Sequence, residues 1–82
     1  MEINILCLDY AINKTGANGV QIIGAYYDLE KAKKIMKEEF GREDPPFSDI
    51  IKEEDELSMT LYEEGYYSQN HIHYFIQVTK IN

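Results

Sequence analysis

The sequence predicts an α+β domain, a four-stranded antiparallel sheet with one main helix packed across a face. Three observations lead there. Two apolar strand-like runs occupy the first third of the chain, a helical pattern follows, and two further alternating runs close it. A strand-strand-helix-strand-strand order has its simplest solution in one sheet with one covered face. The 82 residues leave room for a single core, so residues 1–82 are expected to form one domain.

The first strand is read from Ile3 to Tyr10, where Ile3, Ile5, Leu6, Cys7 and Leu8 put apolar groups on both faces. Such a strand belongs inside its sheet. Asn13 to Gly19 is turn chemistry, with Asn18-Gly19 suited to positive φ. Val20 to Tyr27 is the second strand, with Ile22, Ile23, Tyr26 and Tyr27 as packing residues, and it should pair with the first as a hairpin.

Asp28 has the chemistry of a helix N-cap. Leu29, Ala32, Ile35, Met36 and Phe40 then share one helical face, opposite Lys33, Lys34, Lys37 and Glu38. Glu30 and Lys34 form an i,i+4 pair, and Gly41 fits the C-terminal cap. Glu43-Asp44-Pro45-Pro46 ends the helix. Phe47 to Glu56 admits two readings, a short helical turn capped by Ser48 or an ordered loop. Leu57 to Tyr62 alternates, with Leu57, Met59 and Leu61 on one side and Ser58, Thr60 and Tyr62 on the other. Glu63-Glu64-Gly65 marks a bend, and His71 to Ile81 is the last strand, with Ile72, Tyr74, Ile76 and Val78 on one face. One helix cannot cover both apolar faces of the first strand. A homodimer, or the Phe47–Ile51 segment, would cover the surplus.

The net charge of -7 is local. Residues 1–42 carry equal numbers of acidic and basic groups. Between Glu43 and Glu64 nine carboxylates face Lys52 alone, and Lys80 supplies the last positive charge. A field of this sign repels nucleic acid and attracts basic protein surfaces, so direct binding to DNA or RNA is not expected. The expected partner-binding residues are Glu53, Glu54, Asp55, Glu56, Glu63 and Glu64 with the flanking aromatics Tyr62, Tyr66 and Tyr67, because tyrosine beside charge anchors interfaces. The plainer reading of the same run is a solvated acidic loop.

His71 and His73 lie two apart on a strand and share a face. Two such imidazoles occur in zinc sites, with a third ligand drawn from Asp9, Glu63 or Glu64, and either could act as a general base. No nucleophile or oxyanion pattern accompanies them, so a metal or catalytic role stays an alternative to a non-enzymatic binding module without cofactor. Gly16-Ala17-Asn18-Gly19 lacks the spacing of a phosphate-binding loop. Cys7, the sole cysteine, excludes an internal disulfide and sits in an apolar run as a small buried hydrophobe. No basic segment precedes an apolar stretch and no run reaches the ~18 residues of a membrane span, so a cytoplasmic location without membrane partners is expected.

The run Ile22-Ile23-Gly24-Ala25-Tyr26-Tyr27-Asp28-Leu29-Glu30-Lys31-Ala32 resembles a pattern in small phage and bacterial proteins of unknown function, where a strand ending in Gly-x-Tyr passes directly into a helix opening Glu-Lys-Ala. The later strands, with Leu61-Tyr62-Glu63-Glu64-Gly65 between them, are similar in general layout. Small size, acidity and the lack of catalytic motifs also resemble phage inhibitors of host defence, anti-CRISPR proteins among them. The pattern implies no activity, and the inhibitor likeness is one of composition; the acidic run itself suggests docking in a basic groove of a host protein that otherwise holds nucleic acid.

Overall fold

Period-2 alternation, a capped helix and tight turns assemble into one sheet and one helix. The computed structural model describes residues 1–81: β1 (Glu2–Ile12), β2 (Ala17–Tyr26), α1 (Leu29–Gly41), β3 (Ile50–Asp55), β4 (Ser58–Glu63) and β5 (Asn70–Lys80). The strands form a five-stranded sheet in the order β2-β1-β5-β4-β3, with every neighbouring pair antiparallel. β1 is paired on both sides, as its apolar faces require. No helix among the described residues is long and apolar enough to cross a membrane.

The fifth strand corrects the four-stranded expectation. The segment from Phe47 to Glu56 is neither a helical turn nor a loop over most of its length: residues 50–55 form β3 and pair with β4 from Ile50↔Glu63 to Asp55↔Ser58. Lys52-Glu53-Glu54-Asp55 has weak strand propensity, and pairing to β4 overrides it. The connection is a two-residue turn, Glu56-Leu57, without the Asn-Gly signature of a primed turn. Asp55 Oδ1 accepts from the Glu56 N–H at 2.7 Å, and the Leu57 carbonyl accepts from the Ile76 N–H at 2.8 Å.

The helix begins as its sequence dictates. Asp28 is extended, and its carboxylate accepts from the Glu30 N–H at 3.0 Å. Its end differs from expectation: Gly41 lies within the helix, and Arg42 closes it in right-handed geometry. No left-handed cap is formed, so glycine is not required there. Lys33 rather than Lys34 meets Glu30, at 3.6 Å, because Lys33 turns toward the sheet and also reaches Glu56 at 3.2 Å.

The helix covers one sheet face. Ala32, Met36 and Phe40 pack on Leu6 from β1, Met59 and Leu61 from β4, and Ile72, Tyr74 and Ile76 from β5. Leu29, Ile35, Phe47 and Leu57 seal the margin. Leu6 and Met36 are fully buried, and each such side chain contributes about 1.5–3 kcal/mol of transfer free energy. Tyr74 meets Phe40 edge to face at 6.2 Å, and its hydroxyl donates to Glu43 just past the helix. Buried Asn4 donates from Nδ2 to the carbonyls of Tyr26 and Tyr27 at 3.1 and 3.3 Å, tying β1 to the junction that launches the helix.

The first hairpin is tighter than its turn residues suggest. Asn18 and Gly19 belong to β2, and the loop is Asn13–Gly16, with Gly16 at φ +73°. Leu6 pairs with Gly24 and Cys7 with Ile22, so Ile23 is the extra residue of a β-bulge. Ile23 and Tyr26 reach the core, whereas Ile22 and Tyr27, expected to pack, are exposed. Gly24 leaves room for the Tyr26 ring: a Cβ there would stand 2.5 Å from the Tyr26 hydroxyl. This contact accounts for the Gly-x-Tyr spacing, and Lys31 lies 5.9 Å over the same ring.

Candidate functional site

The sheet face opposite the helix has no covering element, and Phe47 packs on the helix side instead. Three rows on this open face cross all five strands. The middle row reads Val20, Asp9, His73, Thr60, Glu53 from β2 to β3, and its neighbours read Asn18, Ala11, His71, Tyr62, Ile51 and Ile22, Cys7, Phe75, Ser58, Asp55. Asn18 and Asp9 apart, the face is apolar over β2 and β1, and around Phe75 and Ile51 it is polar to acidic over β5, β4 and β3.

Tyr67, from the β4–β5 loop, leans over the polar half. Its ring stacks on His71 at 4.9 Å and meets Tyr62 edge to face at 5.0 Å. The loop is placed by Gly65 at φ +81° and by the Tyr66 N–H, which donates to the Glu63 carbonyl at 2.9 Å. The Tyr67 carbonyl faces His71 Nδ1 at 2.7 Å. Tyr62 donates its hydroxyl to Glu53 at 2.8 Å, and this bond is the main reason its phenol is pushed above the ordinary tyrosine range. Burial raises Tyr67 as well, with Asp9 and Glu53 adding to it.

The histidines are held differently. His73 Nδ1 lies 2.6 Å from the Thr60 hydroxyl, and its ring stacks on Phe75 at 5.2 Å. Burial lowers its basicity below the usual imidazole range. Asp9 partly offsets that, and His71 reinforces it. His71 is buried, with Nε2 3.4 Å from Asp9 Oδ1, close enough for an ion pair. The contact is not a hydrogen bond, and Nε2 has no other partner among the described residues. Among the described residues no group of three or more His, Cys, Asp or Glu converges to hold a metal ion, so a metal site would rest on two imidazoles whose Nδ1 atoms are already engaged. Cys7 is buried in this face, and burial pushes its thiol up, which disfavours the reactive thiolate.

Beside these groups lies a cleft of about 500 Å³ lined by Glu53, Glu54, Asp55, Ser58, Thr60, Tyr67 and His73. No Lys or Arg lines it. The structure divides the expected partner-binding residues by strand alternation. Glu53, Asp55, Tyr62 and Tyr67 share the open face. Glu54 and Glu63 alternate to the helix side, and Glu54 pairs with Lys52 at 3.2 Å. Glu56 is drawn to Lys33, Glu64 lies in the turn after β4, and Tyr66 is exposed on the loop. Asp9, Thr60 and His73 join the site through register, which no spacing within one strand reveals.

A five-stranded antiparallel sheet with one helix and a bare, charge-graded second face thus defines an α+β domain. No protein-family model, curated protein or solved structure matches the chain.

Proposed function

We propose that this protein is a non-enzymatic binding module whose open sheet face takes up cationic side chains from a basic surface of a partner protein. The observation that carries this reading is the cleft itself. Glu53 and Asp55 flank it, Tyr67 walls it and no Lys or Arg lines it; among the described residues only Glu54 of its three carboxylates is paired, with Lys52. A lysine or arginine entering there would meet two carboxylates and an aromatic ring together, pairing charge attraction with cation–π contact. The remaining acidic residues between Glu43 and Glu64 extend a negative field that steers such a partner inward. A basic surface of this kind ordinarily holds nucleic acid, so the module would act by competing for it, in keeping with its likeness to phage inhibitors.

Titration with an Arg/Lys-rich peptide, followed by NMR, tests the reading. Resonances of Thr60, Tyr62, Tyr67 and His73 should move together, and the shifts should collapse in about 1 M salt, where the screening length is near 3 Å. Shifts spread over the helix, or none at all, would reject it.

A catalytic reading has one observation in its favour, the order Asp9, His73, Thr60 along a single row. It places a carboxylate, an imidazole and a hydroxyl in the sequence of a hydrolytic triad. Two facts favour binding instead. Thr60 is only 6% exposed. Its strand is paired on both sides, so the surrounding backbone N–H groups serve the ladder and leave no oxyanion donors.

A further inference from the structure

The two edges of the sheet are built differently. β3, at one edge, presents Lys52, Glu53, Glu54 and Asp55, the charged pattern that keeps an edge from pairing with another strand. β2, at the other edge, is Ala-Asn-Gly-Val-Gln-Ile-Ile-Gly-Ala-Tyr and carries no charge along its ten residues. Its register with β1 is regular from Ala17 to Ile22, and the bulge falls beyond that stretch at Ile23. Val20 and Ile22 are 68% and 72% exposed on the open face. Behind Ile22 in its row lie Cys7 and Phe75, and behind Val20 lie Asp9 and His73.

We propose that residues 17–22 of β2 pair edge to edge with the same segment of a second copy, joining two sheets into one about a two-fold axis. An antiparallel two-fold pairing needs one self-complementary strand, and an uncharged edge meets that requirement. Val20 and Ile22 of each copy then stand beside those of the other and close the apolar strip over the joint.

Charge singles out the second copy's place. The carboxylates of β3 and its turn, Glu53 to Glu56, lie at the β3 edge, so any contact through β3 or the cleft would press carboxylates of two copies together. Joining at β2 places the two β3 strands nine strand spacings apart, about 43 Å at ~4.8 Å each. That is several times the ~8 Å screening length at physiological salt. Asp9, on the neighbouring strand β1, stays three spacings from its mate, roughly 14 Å. Both clefts remain open at the far ends, so the dimer presents two of them.

Sedimentation of the native protein at about 100 µM, with amide hydrogen exchange at that concentration and after dilution, tests the pairing. The expected mass is twice the 9.6 kDa of the chain. Alternate amides within residues 17–22, free in the single copy, should exchange at least about tenfold more slowly in the concentrated sample. Val20→Lys and Ile22→Lys, at exposed positions, should sediment at the single-chain mass with unchanged far-UV circular dichroism, and Glu53→Lys should stay dimeric. A native mass of one chain at that concentration overturns the proposal. So does a dimer whose β2 amides gain no protection, which would mean the open faces pack together, or a dimer broken by Glu53→Lys. If the β2 variants fail to fold, the concentration dependence of native exchange decides alone.

Discussion

His73 Nδ1 stands 2.6 Å from Thr60 Oγ1, the pair lying side by side on β5 and β4 in the middle row of the open face. The contact joins the polar half of the sheet at its centre, beside Asp9 on one flank and Glu53 on the other. It also satisfies one nitrogen of a partly buried imidazole that resists protonation.

Removing the hydroxyl should therefore cost stability while its shape is kept. Thr60→Val leaves His73 Nδ1 without its partner and should cost about 1–2 kcal/mol, whereas Thr60→Ser should cost less. Urea denaturation measures the difference. Equal midpoints for native and valine proteins would show the bond to be idle.

Acid should weaken the fold through His73. Its folded pKa lies below the ordinary ~6.5, so below that pH the unfolded chain takes up a proton that the folded chain refuses. Stability should fall as pH drops from 6.5 toward the folded value and show no contribution from this group above 7. Asp9, Glu53, His71 and Tyr67 face the same region, so the quantity to read is the difference between native and His73→Gln curves. The native protein should lose more on acidification than the variant, and parallel curves would contradict the assignment.

Asn4 is the buried polar group that anchors the β2–α1 junction. Asn4→Ala removes both donors to Tyr26 and Tyr27 and should cost about 2 kcal/mol, a large share of the roughly 5 kcal/mol expected for so small a domain. Faster amide exchange should appear first at the start of the helix. A loss under about 0.5 kcal/mol would mean that water replaces the side chain.

Tyr74→Phe keeps the ring against Phe40 and deletes the hydroxyl that reaches Glu43. Burial, reinforced by that carboxylate, raises the phenol well above its ordinary range. The change should cost about 1 kcal/mol, because Glu43 is only half-buried and can turn to water. Tyr74→Ala, which empties the core, should cost about 3–5 kcal/mol. A titration of tyrosine absorbance should lose its most alkaline component in the phenylalanine variant.

Local signals carried most of the fold. Leu29, Ala32, Ile35, Met36 and Phe40 were legible as one helical face because their spacing depends on the helix alone, and Asp28 because its cap bond is local. β3 was not legible. Lys52-Glu53-Glu54-Asp55 has no apolar alternation of its own, and its turn at Glu56-Leu57 lacks glycine or asparagine. Ile22 misled for a related reason: a one-residue bulge at Ile23 sent it outward, and bulges leave no mark on composition. At the site, strand alternation put Tyr62 on the same side as Thr60, and the His71 and His73 side chains were placed together. That Glu53 and Tyr67 join them while Glu54 and Glu56 turn away depends on register between strands distant in sequence.

If Glu53 and Asp55 on the open face bind a basic partner, as proposed, reversing their charge must release it. Native protein and the Glu53→Lys/Asp55→Lys variant are immobilised and exposed to lysate of the cells that make the protein, with Glu38→Lys as a charge-reversal control on the helix. Binding is read as a stoichiometric, salt-sensitive partner whose affinity is then measured in purified form. The account predicts a partner held by the native and Glu38→Lys proteins and weakened at least about a hundredfold by the double reversal. A partner held equally by all three, or lost equally from both variants, would contradict it.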